Sequence, residues 1–234
     1  MERVYHPHAL DGDRLEVTGP EAHHLARVRR VGPGDRIEVF DGLGGVVLAR
    51  VDRAGRNGLE LVVEDRLPPR PLPTSDVTLA TAVPKGDRFD WLIEKATELG
   101  VARIIPLRTQ RSVVDPRTSK LDRLRRLVVE ACKQSGRDHV LQLEPMASWS
   151  DFLATEAEAL RLIAHPGGDP IARHGPAPRV VLAIGPEGGF TDEEIEAARA
   201  VGWRTIGLGP NLLRIETAGI AASAAFLAMG GAAP

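Results

Sequence analysis

Two short segments in the last third of the chain carry residue types that do chemistry: Gly185-Pro186-Glu187-Gly188-Gly189-Phe190, and Leu208-Gly209-Pro210-Asn211-Leu212-Leu213-Arg214-Ile215-Glu216-Thr217-Ala218. The glycines of the first let backbone amides approach a ligand closely, as in phosphate and nucleotide loops. It is neither common nucleotide fingerprint, because Pro186 interrupts Gly-x-Gly-x-x-Gly and no Gly-Lys-Ser/Thr occurs. Spacing alone leaves a tight turn and a binding loop both open. In the second segment Arg214 is a fixed cation, and Glu216 falls in the first turn of a helix, where a carboxylate complements the dipole. Capping roles for Glu216 and Thr217, with Arg214 a surface charge, are the competing reading. Other reactive residues lack partners. His23 and His24 are neighbours on a helix and face apart, and no His-Glu-x-x-His or cysteine cluster supports a metal, so none is expected. Ser135 and His139 are four apart but lack the oriented third group that a nucleophile needs.

The elements that must position these segments read as α/β. Residues 180–184 form a buried strand running straight into the glycine loop, and Thr191-Asp192-Glu193-Glu194 is a capping box that starts a helix ending near Gly202. The loop therefore lies at the carboxyl end of a strand, where open α/β sheets bind ligands. Further strands are expected at 77–83, 101–107, 161–164 and 205–208. Helices are expected from Phe89 through Leu92, Ile93 and Ala96 to a Gly100 cap, at about 119–136, and after residue 214. The last, running from Ala218 to Pro234, is mostly Ala and Gly and reads as a closely packed buried helix. Upstream, four prolines among Pro68-Pro69-Arg70-Pro71-Leu72-Pro73 exclude regular structure and mark a stiff linker between two domains. Before it, short apolar runs at 13–17, 35–40, 45–51 and 59–63, broken by Asp41-Gly42 and Asn57-Gly58, predict a small β-barrel or sandwich. A helix at 20–30 is expected to carry His23, His24, Arg27, Arg29 and Arg30.

Composition bounds the function. With 30 basic against 32 acidic residues and 43% hydrophobic residues, the chain is an ordinary globular protein with no global field toward nucleic acid or membrane. Basic surface must be local, and residues 103–137 supply it, with ten basic residues against three acidic ones. Such a concentration serves either a solvated helix face or an anionic partner, and RNA is the expected one. At 4% aromatic content, with Phe190 the only ring inside a motif, recognition should rest on shape and backbone. A lone Cys132 and an opening stretch, residues 1–7, without the apolar core of a signal peptide lead to the expectation of a cytoplasmic protein with no membrane association.

Residues 185–190 followed by Leu208-Gly209 and Leu213-Arg214-x-Glu216-Thr217-Ala218 resemble the signature of RsmE-type 16S rRNA uridine-N3 methyltransferases in the SPOUT superfamily. Lys85-Gly86-Asp87-Arg88, Glu94-Lys95-Ala96-Thr97-Glu98-Leu99-Gly100, Arg111-Ser112-Val113 and Glu130-Ala131-Cys132-Lys133-Gln134-Ser135-Gly136-Arg137 fit the same pattern. So do His24-Leu25, Arg27-Val28-x-Arg30 and Gly34-Asp35, so the likeness covers nearly the whole chain. Arg29 stands where Leu is usual, and Ile215 where Thr or Arg is commoner.

The resemblance implies an N-terminal PUA-like β-barrel (1–67), the linker (68–73) and a C-terminal SPOUT α/β methyltransferase domain (74–234) with a deep trefoil knot. It implies a homodimer acting on 16S rRNA, with the small ribosomal subunit as its setting. S-adenosylmethionine is the implied cofactor, held by His165, Gly185, Pro186, Gly188, Leu208, Gly209, Leu213, Thr217 and Ala218. Arg27, Arg30, Lys85, Arg88, Arg111, Arg123, Arg126, Gln134 and Arg137 are the implied RNA contacts. Uracil N3 is a poor nucleophile because it is protonated at neutral pH and its lone pair is delocalised into two carbonyls. A cation must stabilise the anion while a base or water takes the proton. Arg214 is the expected cation and Glu187 the candidate for assisting proton removal. Three rivals remain: a Rossmann-type enzyme, which would need a glycine-rich loop where Val83-Pro84-Lys85-Gly86 stands, a non-catalytic RNA-binding module, and an RNA methyltransferase of different base specificity.

Overall fold

The computed structural model describes residues 1–55, 58–68, 70–114, 118–155 and 158–229, without the side chains of residues 20 and 118–120. Asn57, Pro69, Asp115, Arg117, the Lys120 side chain and the tail beyond Met229 therefore lie outside the described residues. Two compact units emerge, Met1–Pro71 with Cys132–Val140 and Leu72–Ala131 with Leu141–Pro234.

In the first unit β1 (Glu2–Tyr5), β2 (Arg14–Thr18), β3 (Arg36–Phe40), β4 (Val46–Ala54) and β5 (Gly58–Leu67) make one curled sheet in the order β1-β3-β4-β5-β2. β1 runs parallel to β3 and the other neighbours are antiparallel. Period-two alternation turns Leu15, Val17, Ile37, Val39, Ala49, Val51, Leu59 and Leu61 into one core. A single sheet curled on its own core fits the barrel expectation and not the sandwich. The turn at Asp41-Gly42 forms as expected: the Asp41 carboxylate accepts from the amides of Leu43 at 2.7 Å and Gly45 at 2.9 Å.

The helix expected over 20–30 is corrected. A short α1 (Gly19–His23) runs into a π-helical turn, His24–Val28, and Arg30 follows with a left-handed φ of 57°. The wide turn is closed by Arg29 N–H on the His24 carbonyl at 3.1 Å and Val31 N–H on that of Leu25 at 3.0 Å. It keeps Leu25 buried in the core while Arg27, Arg29 and Arg30 stay exposed. Segment Cys132–Val140 belongs to this unit through half-buried Arg3, which pairs with Glu38 at 2.6 Å and with Asp138. The same side chain donates to the carbonyls of Cys132 at 2.7 Å and Arg137 at 2.8 Å and lies 4.3 Å over the Phe40 ring.

In the second unit β6 (Asp76–Ala82), α2 (Arg88–Leu99), β7 (Arg103–Arg108), α3 (Thr118–Ser135), β8 (Gln142–Leu143), β9 (Ala147–Ser148), α4 (Trp149–Leu153), β10 (Leu160–Pro170), β11 (Arg179–Ile184), α5 (Asp192–Ala200), β12 (Arg204–Gly207) and α6 (Ile215–Met229) alternate as α/β; α3 ends inside the segment of the first unit. The sheet is all parallel, ordered β12-β10-β11-β6-β7-β8 with β9 beside β7. β6 and β11 are buried at every position but the first, as strands covered on both faces are. α6 packs on α2, β6 and β11, and a Cβ at Gly219 would come within 3.3 Å of Leu79, so the small residue permits the close approach. The expectation of a buried C-terminal helix holds for one face, where Ala218, Gly219, Ala222, Ser223 and Phe226 are buried, and is corrected on the other, where Ala221, Ala228 and Met229 are exposed. No described helix is long and apolar enough to cross a membrane.

Candidate active site

The carboxyl ends of β11 and β12 and a bulge within β10 open into a cavity of about 770 Å³. β11 and β12 each deliver one loop to it. At β10 the ladder slips, with both Ala164 and Asp169 opposite Ile206, so residues 165–168 bulge out. Only glycine fits at 168, since a Cβ there would stand 2.5 Å from the Ile206 backbone.

The β11 loop is built from its residues upward. Gly189 N–H closes a turn on the Pro186 carbonyl at 2.8 Å, with Gly189 at φ 71°. Phe190 folds back and is buried against Trp149, ring centroids 4.6 Å apart, leaving Gly185 no room for a side chain because a Cβ would meet the Phe190 ring at 2.9 Å. The capping box at α5 is present in both directions, Thr191 N–H on Glu194 Oε2 at 2.9 Å and Glu194 N–H on Thr191 Oγ1 at 3.3 Å. Hydrogen bonds from its own backbone N–H and from Thr191, with Arg111 nearby, hold the Glu193 carboxyl below the usual range. From the far side Arg111 Nη1 donates to the Gly188 carbonyl at 2.6 Å.

The β12 loop is different in kind. Residues 209–214 are all exposed, Gly209 has φ 112°, and the segment is tied down where Ala218 N–H meets the Arg214 carbonyl at 2.8 Å. Beside it Glu216 is buried at 8% exposure, 3.9 Å from Arg88, which also lies 3.9 Å from Glu187. Glu216 Oε2 has no hydrogen-bond partner among the described residues.

Of the expected cofactor residues, His165, Gly185, Pro186, Gly188, Leu208, Gly209, Leu213 and Ala218 line this one cavity. Arg214 and Glu187 line it too. Thr217 does not: it points to solvent from the first turn of α6 while Ile215 and Ala218 face the cavity. Ala164, Ile184 and Gly207 also line it, outside the expected site residues; their place at the ends of the expected strands was the available signal.

The expected RNA residues divide between the units. Arg27, Arg30, Gln134 and Arg137 belong to the first, and Lys85, Arg88, Arg111, Arg123 and Arg126 to the second. Arg27, Arg30, Lys85 and Arg126 are exposed and in no ion pair among the described residues, and Gln134 is exposed. Arg123 is bound to Asp90 at 2.5 Å, and that hydrogen bond raises its pKa. Burial lowers the pKa of Arg137. Arg111 alone among them lines the cavity. No group of His, Cys, Asp and Glu suited to a metal occurs among the described residues.

Comparison with known proteins agrees with this geometry. Residues 70–227 match the model of an RNA methyltransferase domain, and residues 17–64 that of an RNA methyltransferase PUA domain. The chain is 35% identical to ribosomal RNA small subunit methyltransferase E of Synechocystis over 92% of its length and 73% of the relative's. To the protein of the same name from Rickettsia conorii it is 33% identical over 95% of its own length and 93% of the other's. A crystal structure of the Neisseria gonorrhoeae protein of that name, bound to S-adenosyl methionine, superposes with a TM-score of 0.90 at 31% identity, covering 96% of each chain.

Proposed function

The chain belongs to the ribosomal RNA small subunit methyltransferase E family, and from that premise we propose that it methylates N3 of a specific uridine in 16S rRNA. It is an S-adenosylmethionine-dependent rRNA methyltransferase with a PUA domain and a SPOUT-type methyltransferase domain. One observation carries the reading of the site: the two loops that bear the family signature line the same cavity, at the ends of the parallel strands β11 and β12 that flank β10.

The cavity fits the cofactor on its own terms. Its volume lies within the roughly 300–1,000 Å³ of small-molecule pockets. At Gly167, Gly189 and Gly209, all in its lining, nothing stands within 4 Å of where a Cβ would be, so the backbone is open to a ligand. When bound, the cofactor supplies an electrophilic methyl group on a sulfonium. Backbone groups of Gly185, Leu208, Gly209, Leu213 and Ala218 would hold it, with His165, Pro186 and Gly188 completing the walls.

The rest of the reaction falls to side chains. Arg214 stabilises negative charge on a uracil carbonyl oxygen, and Glu187 accepts the N3 proton, so that the anion faces the methyl group in line. The exposed cations Arg27, Arg30, Lys85 and Arg126 hold RNA phosphates, with Arg88, Arg111 and Gln134 beside them. Arg123 and Arg137 contribute less, the first because Asp90 offsets its charge and the second because it is largely buried. The domain limits 1–67 and 74–234, a trefoil knot, a homodimer and a cytoplasmic setting complete the proposal.

Mapping modified uridines in ribosomal RNA from a strain lacking the gene, with and without complementation, tests activity and target together. Loss and restoration of one N3-methyluridine in 16S rRNA is expected. A mark at another base atom would refute the specificity, and wild-type protein that fails to bind S-adenosylmethionine in calorimetry would leave only an RNA-binding module.

A further inference from the structure

Glu194 has a carboxylate that accepts backbone N–H bonds from two separate segments. Oε2 takes Thr191 N–H at 2.9 Å, as a capping box requires, and Oε1 takes Gln110 N–H at 2.8 Å. The second bond spans 84 residues of sequence and adds nothing to the cap. It reaches the turn at residues 109–112, which is closed on itself by Thr109 N–H on Ser112 Oγ at 3.0 Å and Ser112 N–H on the Thr109 carbonyl at 3.1 Å. Arg111 is what that turn presents to the cavity. Its Nη1 binds the Gly188 carbonyl at 2.6 Å, and its stem lies so close that a Cβ on Gly188 would stand 3.3 Å from its Cδ. Among the described residues that one bond leaves most of the guanidinium's donors unused, on an exposed side chain at the cavity wall.

We propose that Glu194 is a positioning residue for Arg111: it ties the 109–112 turn to the start of α5, so the guanidinium rests on Gly188 with its remaining donors turned to an anionic oxygen group of the reactants. That group is a phosphate of the RNA or the carboxylate of the cofactor. The proposal rests on the reading of the cavity as the methyl-transfer site. An ionised carboxylate suits the task because both its oxygens only accept, so each N–H finds a partner. A glutamine would turn its NH₂ toward one of the two N–H groups and lose that contact.

The test combines Glu194→Gln, Arg111→Ala and the double variant, with Thr191→Val as a control that removes the cap hydroxyl and leaves both carboxylate bonds in place. Methylation kinetics on the RNA and calorimetry with S-adenosylmethionine are the readouts. Arg111→Ala should weaken one reactant by about tenfold or more, the scale of a charge-assisted contact. Glu194→Gln should raise the same constant by several-fold with kcat little changed, and the double variant should be no worse than Arg111→Ala. A higher KM for RNA with a shallower salt slope identifies the phosphate, and a higher Kd for S-adenosylmethionine the carboxylate; either supports the proposal. Thr191→Val should lose stability and leave both constants alone. Multiplying effects in the double variant, or a Thr191→Val protein that reproduces the change in constant, would make Glu194 only a helix cap and overturn the proposal. Wild-type protein that binds no S-adenosylmethionine would instead bring down the reading of the cavity itself.

Discussion

The two loops that wall the cavity are made in opposite ways. The 185–190 loop is held from every side: an internal turn, the Arg111 bond, a buried ring packed at a tilt against Trp149 and a capped helix behind it. The 209–214 loop is exposed throughout, with Leu212 at 87% exposure and Leu213 at 38%. A wall held by its own chain is preorganised and spends no binding energy on ordering, whereas an open wall takes its final form from what lies against it. The first is therefore expected to govern stability, and the second the bound reactants.

Phe190→Ala should show the largest effect. Emptying a buried ring site costs about 3–5 kcal/mol, and the Trp149 contact is lost with it. Urea unfolding followed by tryptophan fluorescence reads it directly. A loss below about 1 kcal/mol would mean that the first wall is not anchored from beneath.

On the open wall, Arg214→Ala should leave stability and S-adenosylmethionine affinity near wild type while methylation falls by about two to three powers of ten, as for loss of one oxyanion donor. Arg214→Lys keeps the charge without the planar fork and should recover part of the rate. Single-turnover methylation at saturating cofactor, beside a binding titration, separates these. Full activity in the Ala variant would remove Arg214 from the reaction, and lost cofactor binding would move it into the binding shell. Gly209→Val comes next. At φ 112° a β-branched residue is strained by about 1–3 kcal/mol, and its side chain enters space left open along the cavity. S-adenosylmethionine affinity should drop about tenfold or more in calorimetry, and a folded variant with unchanged affinity would show the cofactor to lie elsewhere.

The same contrast explains what could be read from sequence. Apolar runs placed β6 and β11 to within a residue or two because strands buried on both faces need continuous hydrophobicity. The Thr191 capping box and the glycine loop were legible because each is local chemistry within a few residues. β1 was missed, since Glu2-Arg3-Val4-Tyr5 buries fully only Val4 and offers no alternation. The π-turn at His24–Val28 was missed because its apolar spacing also fits a helix, and only burial of Leu25 selects the wider turn. Membership of Cys132–Val140 in the first unit rests on Arg3 pairing with Asp138 across 135 residues, and the seat of Arg111 on Gln110 meeting Glu194 across 84. Bonds between segments that distant leave no periodicity to read.

The smallest effect should come from Leu212→Ser, and it bears most closely on how the open wall is finished. At 87% exposure Leu212 loses almost nothing on truncation within a single chain, so the unfolding free energy should stay within about 0.5 kcal/mol of wild type. The corresponding change at Phe190 removes a ring buried at 5% exposure, and the gap between the two variants measures the difference between the walls. Thermal unfolding at two protein concentrations makes the measurement sharper. A side chain that faces only solvent gives the same Tm shift at both, close to zero. If Leu212→Ser instead lowers Tm by several degrees, and more so in the concentrated sample, mass action identifies a second copy covering the loop, because only association makes Tm depend on concentration in that way. The open wall would then be completed by the partner of the proposed homodimer, and the contrast between the loops would hold for the isolated chain alone.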